Sequence, residues 1–459
     1  MRRSLPSVAL KKVCREVLIV LGLVSFPAWG GAVVEAGDPF AGFDSPDSFA
    51  EPVAPSSASP LRYFNGYAKV LSVCNTTHYY PEEGYGDWQG LSKLRLEGLV
   101  EVDFRIVEWK AFASIKGFYD VAYGLNGRDG YSEEVLDTYE KEIEIGEAYL
   151  QGKPTSFADL KIGRQVVVWG RSDNFRVTDV LNPLDNRDPG LVDIENLRLP
   201  LAMVKLDFFS GAWSLGLISV HEHRYDENPV FGHFFYPSSA QLPAETVPAH
   251  TLENTEIGAE LNGTFAGWDL SLYGARVFQD QANFVHSPLL GREHQKITML
   301  GAAMSLAQGN ILYIGEVAHL RGLHFLEGEQ TNYNRNELLV GIAYSGLSET
   351  IISLDFVSRH FHNYTPDLDT SPEGPRSTVN EIACRVTSNF MNDTLELAGM
   401  IILNGVRGQY GALQRFTATY NLADNWSVNG GVLLYQTRSG AMVPVGDSSR
   451  VFCELRYDF

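Results

Sequence analysis

The densest group of residues that could do chemistry lies between Ile162 and Gly190, in the stretch IGRQVVVWGRSDNFRVTDVLNPLDNRDPG. Aspartate, asparagine and arginine side chains can act as acid–base groups, as metal ligands or as the charged lining of a channel. A calcium loop needs oxygen ligands at several alternate positions and a closing glutamate, but Arg187 interrupts the acids here. We therefore predict no metal site in this stretch.

The sequence also lacks the local patterns of common catalytic sites. No Gly-x-Ser-x-Gly elbow that would place a nucleophilic serine is present. His221 and His223 lie two residues apart in VHEHRYDE, but a transition metal needs a third ligand that the sequence does not identify. We predict a protein that is not an enzyme and that holds no metal ion and no cofactor.

Strands are the elements that must position these polar residues. In LRLEGLVEVDFRI, residues 94–106, apolar residues and glycine take one face while Arg, Glu and Asp take the other. RVFCELRYDF, residues 450–459, repeats this period of two, which is typical of β-strands. The predicted strands run for roughly ten to sixteen residues, about twice the usual length in soluble proteins.

About eighteen such strands are predicted after residue 62, in pairs joined by short turns and separated by mostly long polar loops. Trp109, Trp213, Trp268 and Trp426 all lie beside short turns, as expected for an aromatic girdle at a membrane interface. The pattern predicts an all-β fold, a transmembrane antiparallel up-and-down β-barrel with short periplasmic turns and long extracellular loops.

The N-terminal residues have the layout of an export signal. Basic residues precede an apolar run that is too short to cross a bilayer, and small residues follow it. We expect a signal peptide over 1–30, with cleavage as late as 36 as an alternative. We then expect a flexible periplasmic tail or small plug over 31–61, and the barrel over 62–459.

These features predict a protein of the outer membrane of a Gram-negative bacterium, exported by its signal peptide. Its partners would be outer-membrane lipid and lipopolysaccharide, small-molecule solutes, and the barrel-assembly machinery, which would recognise the C-terminal strand ending at Phe459. The net charge of -20 argues against a nucleic-acid partner.

The segments LKIGRQVVVWG, LNPLD and LRLPLAMVKLDFF resemble a large, uncharacterised family of proteobacterial outer-membrane barrels. The hallmark of that porin-like family is a Gly-Arg-Gln strand ending in Trp-Gly, here Gly163 to Gln165 with Trp169 and Gly170. EAYLQG, residues 147–152, resembles the strand before that hallmark. The resemblance is sharpest over residues 140–210, and it implies a pore or transport protein without naming a substrate.

Residues 171–199 form the third long connection in the predicted strand order. By analogy with general porins, we expect this loop to fold into the lumen as a constriction, although an ordinary surface loop is the alternative. Arg164 precedes it, and strict alternation would turn this residue toward lipid. We expect either a bulge at Gly163 that turns Arg164 inward or a site close to the interface. The candidate residues are Arg164, Asp173, Arg176, Asp179, Asp185, Arg187 and Asp188.

The inward faces of other predicted strands carry further candidates, acidic on early strands and basic on late ones. Such an arrangement predicts either a transverse field across the lumen or a network of ion pairs that stiffens the barrel. The pore-lining candidates are Glu97, Glu101, Asp103, Glu256, Glu260, Arg385, Arg415 and Arg456.

Three functions remain open from the sequence. The first is a porin-like channel for passive diffusion of small hydrophilic solutes through a charged lumen. The second is a transporter of hydrophobic compounds or envelope lipids. The third is a structural or adhesive barrel with a closed lumen. Single-channel conductance separates the first function from the other two.

Overall fold

The computed structural model describes residues 61–76, 88, 90–236, 240–286, 290–325, 332–365, 376–437 and 448–459. The expected signal peptide, and the tail or plug up to residue 60, lie outside these residues. Within the described part of the chain, no helix has the length and apolar character needed to cross a membrane.

Eighteen antiparallel strands form one sheet, as the sequence predicted. They are β1 (Leu61–Asn75), β2 (Gly90–Ile106), β3 (Trp109–Asp120), β4 (Lys141–Thr155), β5 (Ala158–Gln165), β6 (Leu201–Ser210), β7 (Trp213–Val220), β9 (Glu256–Phe265), β10 (Trp268–Phe278), β13 (Lys296–Gln308), β14 (Ile311–Leu323), β15 (Tyr333–Leu347), β16 (Thr350–His362), β17 (Thr378–Phe390), β18 (Leu395–Asn404), β19 (Gly411–Ala423), β20 (Trp426–Thr437) and β21 (Arg450–Asp458).

The sheet closes on itself because the first and last strands pair. The seam between β1 and β21 runs from Tyr67↔Asp458 to Asn75↔Arg450. Beyond β21, the backbone of Phe459 exchanges two hydrogen bonds of 3.0 Å with Gly66. Closure leaves the barrel without an edge strand, so its backbone polar groups need no water. The prediction of a closed up-and-down barrel is confirmed.

The two ends of the barrel differ. At one end, called the turn end, most strands are joined by two-residue turns such as 107–108, 211–212 and 266–267. At the other, called the loop end, the connections include residues 121–140, 166–200 and 221–255. The loop end also carries a small sheet of β8 (Glu245–Thr246), β11 (Asn283–His286) and β12 (Leu290–Glu293).

The outer surface of the barrel is apolar over most of its height. Leu300, Val317 and Val340 are 62%, 48% and 52% exposed, while alternate residues on the same strands are buried. Trp213 and Trp268 begin strands at the turn end and are partly exposed. An apolar outside with aromatic residues at one end fits a surface that faces lipid.

Three local features differ from the predictions. The predicted hallmark strand ends at Gln165, so Trp169 and Gly170 lie beyond β5. The register of β5 is continuous through Gly163, so the expected bulge is wrong, although this glycine has a φ of 131°. Short helices at Ala122–Leu125 and Glu133–Tyr139 also lie in the connection between β3 and β4.

Candidate functional site: the third loop

Residues 166–200, here called the third loop, leave the barrel wall after β5. The first backbone N–H groups of the loop bond to side chains instead of to a neighbouring strand. The backbone N–H of Val166 donates to Glu147 at 2.9 Å, and that of Val167 donates to the Asn182 side chain at 2.8 Å. The amide of Asn182, which is fully buried, donates to the carbonyl oxygens of Gln165 and Leu199. One asparagine therefore ties both ends of the loop together.

The tip segment of the loop, residues 170–178, is held by a carboxylate on β14. Glu316 accepts hydrogen bonds from the backbone N–H groups of Arg171 and Ser172 at 2.6 and 3.0 Å, and from the hydroxyl of Thr178 at 3.0 Å. The residue is only 2% exposed. Three donors on one buried carboxylate offset much of the cost of removing its charge from water.

A second carboxylate, on β16, holds the same tip segment. Asp355 accepts from the Ser172 hydroxyl at 2.9 Å and from the Asn174 amide at 2.8 Å. It lies five residues from Thr350, which begins β16 at the turn end. At about 3.3 Å per residue, the tip segment reaches to within roughly 17 Å of that end, measured along the strand.

Apolar packing fills the space between the tip segment and the wall. Trp169, Phe175 and Val177 belong to one buried cluster that includes residues of β6, β7, β10 and β13 to β17. Trp169 stacks on Tyr273 with ring centroids 4.9 Å apart. Burying each large apolar side chain contributes about 1.5–3 kcal/mol, so this packing is a major source of the loop's stability.

The return segment, residues 185–193, is held by cations of the barrel wall. Asp188 pairs with Lys93 of β2 at 2.9 Å and with Arg450 of β21 at 3.2 Å. Lys93 is 2% and Arg450 1% exposed. Burial by itself would raise the pKa of Asp188, but Lys93 and Arg450 hold this pKa well below its usual value. Asp188 is therefore ionised and completes a buried triad of charges.

A second aspartate anchors the far end of the return segment. Asp193 pairs with Arg385 of β17 at 3.3 Å and also with Arg415 of β19. Arg415 is 7% exposed and also donates to the carbonyl of Gly190. These two arginines, predicted to line the pore, share the single carboxylate of Asp193.

Three arginines of the third loop are paired with carboxylates as well, and the fourth, Arg171, donates to the Ser271 hydroxyl at 3.0 Å. Arg176 and Arg198 both contact Asp179, at 3.2 and 2.8 Å. Arg187 contacts Asp185 at 2.8 Å and also reaches two further carboxylates, Glu142 at 3.0 Å and Glu227 at 3.1 Å. The predicted loop candidates Arg176, Asp179, Asp185 and Arg187 thus hold the loop in one shape.

Two acidic residues of the third loop remain exposed, Asp173 and Glu195. Removal from bulk water and the nearby Glu195 raise the pKa of Asp173, while Arg385 partly opposes this shift. Since Arg176, Arg187 and Arg198 face carboxylates, the charge that the loop presents to water is mainly negative.

Cavities remain toward both ends of the barrel. A cavity of about 350 Å³ lies toward the loop end, lined by Arg176, Asp226, Asp280, apolar residues of β10, β13 and β14, and two charged residues of β15. Another of about 210 Å³ lies at the turn end, where Glu101 and Asp103 face Lys110. The two cavities therefore lie at different heights of the barrel, and the third loop lines the first of them.

The wall candidates are distributed among separate ion-pair groups. Glu97 pairs with Lys69 and Lys116 at 3.3 and 3.4 Å, and Asp103 pairs with Lys110 at 3.1 Å. These local pairs favour the predicted network over two oppositely charged walls. The other placements are Glu260 with Lys205 at 3.1 Å, Glu256 3.8 Å from His223, and Arg456 with Asp458 at 2.7 Å.

Arg164 lies at the loop end of β5, one residue before the strand ends. Its register partner is Ala202, and its guanidinium contacts Glu222 at 3.1 Å and Glu144 at 3.7 Å. The position corresponds to the second expectation, a site close to the interface, where the cost of an outward charge is small.

Glu316, Asp355 and Asn182, together with the cations Lys93 and Arg450, were not predicted as site residues. Glu316 and Asp355 are isolated acids in apolar strands, in YIGEVAHL and SLDFVS. An isolated inward charge on a strand is a signal that could have identified both residues, because a buried charge requires a partner.

No group of three metal-ligating side chains is found in the described part of the chain. His221 is exposed and contacts Ser219, whereas His223 is buried beside Glu256, with its ring 5.2 Å from that of His250. The two histidines therefore have separate environments and do not face a common point.

Residues 84–459 match the profile of a family described as protein of unknown function (DUF1302). Comparison with curated proteins gives no sequence match.

Solved structures share the fold at low identity. OccAB3 of Acinetobacter baumannii is 9% identical, with a TM-score of 0.53 over 86% of this chain and 98% of that one. OccAB4 of the same organism is 10% identical, with a TM-score of 0.51 over 86% and 97%. OpdK of Pseudomonas aeruginosa, solved with vanillate, is 9% identical, with a TM-score of 0.50 over 86% and 98%.

Proposed function

The chain belongs to the DUF1302 family of proteins of unknown function, and we propose that it is a porin-like channel of the outer membrane of a Gram-negative bacterium. Small hydrophilic solutes would diffuse passively through its charged lumen, with the third loop as the constriction. The proposal assigns the protein no enzymatic activity. OpdK, which shares the fold, is named an outer membrane protein.

The barrel surface supports the membrane part of this proposal. A closed sheet with an apolar outside satisfies its own backbone hydrogen bonds and can lie in lipid without an exposed edge. The turn end would face the periplasm and the loop end the exterior. A signal peptide over residues 1–30, followed by a tail or plug up to 61, fits export to this membrane.

The single observation that carries the channel proposal is the path of the third loop. Its tip segment bonds to Glu316 on β14, and its return segment bonds to Lys93 on β2 and Arg450 on β21, so it crosses the lumen between opposite walls. Cavities with charged lining residues lie toward the loop end and at the turn end of the barrel. A fixed loop that crosses the lumen narrows it and selects solutes by size and charge.

The exposed charges of this loop predict the sign of the selectivity. Asp173 and Glu195 face water, whereas Arg176, Arg187 and Arg198 are paired with carboxylates and Arg171 donates to the Ser271 hydroxyl. An acidic constriction attracts cations and disfavours anions. We therefore propose a moderate preference for cationic and neutral hydrophilic solutes.

Conductance in planar lipid bilayers tests the proposal. The wild-type protein should form discrete channels, and a variant with residues 171–198 replaced by a short Gly-Ser linker should conduct several times more current. A linker that replaces residues 240–251, in the connection between β7 and β9, serves as a control for loop shortening. If the wild type and the variant both fail to conduct, the proposal is wrong.

A second function, a structural barrel with a closed lumen, is favoured by one specific observation. The third loop is bonded to strands on several sides of the wall and packs its apolar side chains against them. Such a loop could act as a plug. No conductance in the wild type together with large conductance in the loop-shortened variant would support this second function.

A further inference from the structure

The outer face of β10 to β17 is unusual at the loop end because it is polar and cationic there. One cross-strand row joins Arg276, Thr298, Arg321, Asn334 and His362 through successive register pairs. Arg276 and Arg321 are exposed.

A second row lies one outward position nearer the turn end. It joins Leu300, His319, Asn336, His360 and Thr378. His319, Asn336 and His360 are exposed. The ten residues of the two rows include two arginines and three histidines but no aspartate or glutamate.

The side chains of both rows point away from the lumen. Alternate residues of the same strands are buried toward the third loop, with Met299 0%, Leu320 3%, Tyr333 1% and Phe361 4% exposed. Since side chains of a strand alternate between the two faces of the sheet, the rows between these residues lie on the outside.

The polar rows mark a boundary on the outer surface. Immediately toward the turn end, the outward residues become apolar, with Val317 48% and Leu338 44% exposed. An outward arginine costs about 2–4 kcal/mol at the centre of a bilayer but only about 0–1 kcal/mol near its interface. The two rows therefore lie where lipid chains end and headgroups begin.

The opposite end of the same strands has a different outer surface. There the outward residues include Trp268 and Tyr313, which are neutral and aromatic. Both ends of this wall meet a membrane interface, but among its described outward residues the cations lie at the loop end. An interface by itself requires aromatic or polar residues and does not require positive charge. The cations therefore indicate a headgroup that is anionic on the loop side.

The contacts within the rows hold the polar side chains in place along the surface. His319 contacts Asn336 at 2.6 Å, and His360 contacts Thr378 at 2.9 Å through Nδ1. Arg276 donates to Thr298 at 3.3 Å. Arg276 and Arg321 are separated by one intervening strand, which places their backbones roughly 10 Å apart. Two guanidinium groups at that spacing can each bind a phosphate through paired hydrogen bonds.

We propose that this surface, here called the rim patch (Arg276, His319, Arg321, His360 and His362), binds the phosphorylated headgroup of lipopolysaccharide. The inference rests on the outer-membrane placement in the proposed function but not on conduction. The phosphates contact the arginines, the histidines and asparagines contact neighbouring phosphate and sugar oxygens, and the acyl chains lie along the apolar rows below. Charge and position match a phosphorylated glycolipid in the outer leaflet.

Binding of lipid A to the purified full-length barrel in neutral detergent tests the proposal. Titration by native mass spectrometry should show R276Q/R321Q binding lipid A at least tenfold more weakly than the wild type. Lipid A from which both phosphates have been removed should bind the wild type as weakly as lipid A binds the variant. R105Q/R407Q removes the same charge from exposed positions outside the patch and should bind like the wild type.

Three results would overturn the proposal. In the first, R276Q/R321Q binds lipid A as tightly as the wild type. In the second, the control variant loses affinity equally, which would indicate general charge attraction. In the third, inorganic phosphate at the lipid A concentration displaces the lipid, which would indicate a site for free phosphate. Bilayer conductance of R276Q/R321Q should equal that of the wild type, so failure of lipid binding and failure of the channel proposal are distinguishable.

Discussion

The tip segment and the return segment of the third loop are held by opposite charge arrangements. On the tip side, the wall supplies the carboxylates Glu316 and Asp355, and the loop supplies neutral N–H and O–H donors. On the return side, the loop supplies Asp188 and Asp193, and the wall supplies lysine and arginine. The loop thus runs from carboxylates on β14 and β16 to cations, of which Lys93 on β2 lies on the other side of the barrel.

Because of this difference, we expect the two segments to respond differently when one partner of an anchoring contact is removed. A buried ion pair that loses one member leaves an uncompensated charge, which costs about 3–5 kcal/mol. When neutral donors lose a carboxylate acceptor, the loss of stability is smaller. The apolar cluster around Trp169 and Phe175 also remains to hold the tip segment. We therefore expect the return segment to be more sensitive to single substitutions.

Asp188→Asn should have the largest effect. The change leaves Lys93 and Arg450 without their shared carboxylate in a buried site, so the local free energy of opening of the return segment should fall by about 3–5 kcal/mol. Hydrogen exchange of the backbone amides of residues 186–193 measures this loss.

Asp185→Asn is the matched control for Asp188→Asn. Arg187 keeps Glu142 and Glu227 as partners when Asp185 is neutralised, so exchange should change little. Equal effects of the two substitutions would show that the buried triad does not dominate the return segment.

Glu316→Gln should have the next largest effect and should act on the tip segment. The amide group cannot accept all three hydrogen bonds of the carboxylate, so we expect a loss of about 1.5–3 kcal/mol in the local opening free energy of residues 170–178. Hydrogen exchange of this segment gives the value, and Glu349→Gln at an exposed turn is the control. A loss as large as that of Asp188→Asn would contradict the comparison between the two segments.

Neutralising the exposed acids should change selectivity without releasing either anchor. In Asp173→Asn combined with Glu195→Gln, the cation-to-anion permeability ratio should fall by on the order of twofold, because the lumen-facing charge of the loop is removed. Reversal potentials across a salt gradient provide the measurement. An unchanged ratio would place the solute path away from these residues.

Acidification should produce the smallest change, in the same direction. The pKa of Asp173 is raised, so its charge and its contribution to cation preference are present above that pKa and are lost as the pH falls through it. The decline should therefore begin at a higher pH than for an ordinary aspartate, and Asp173→Asn should remove this part of the pH dependence. A reversal potential that shifts identically with pH in both proteins would exclude Asp173 as the titrating group.

The barrel was predictable because burial alternates along each strand. RVFCELRYDF shows this period directly, and its strand pairs with β1 to close the sheet. The helix Glu133–Tyr139 was missed because it has only seven residues. Its Ser132 cap, followed by two acidic residues, was a local signal that could have indicated a helix start.

The conformation of the third loop was not predictable, because its partners lie far away in the chain. Arg171 and Glu316 are 145 residues apart, and Asp188 and Arg450 are 262 apart. Charged residues in the loop could be recognised, but no local pattern determines which wall residue meets which loop residue. Arg385 and Arg415 were recognised as lumen candidates, but the sequence does not indicate that both pair with Asp193.

The seam of the barrel gives Asp188 a role in assembly. Lys93 lies on β2 and Arg450 on β21, and β1, the strand between them, pairs with both. Asp188 therefore acts as a clasp over the join between the first and last strands, whose contacts span nearly the whole chain and so carry the greatest entropic penalty in folding. Asp188 therefore couples insertion of the loop to closure of the barrel. A barrel that closed with its loop outside would leave Lys93 and Arg450 buried without their shared carboxylate.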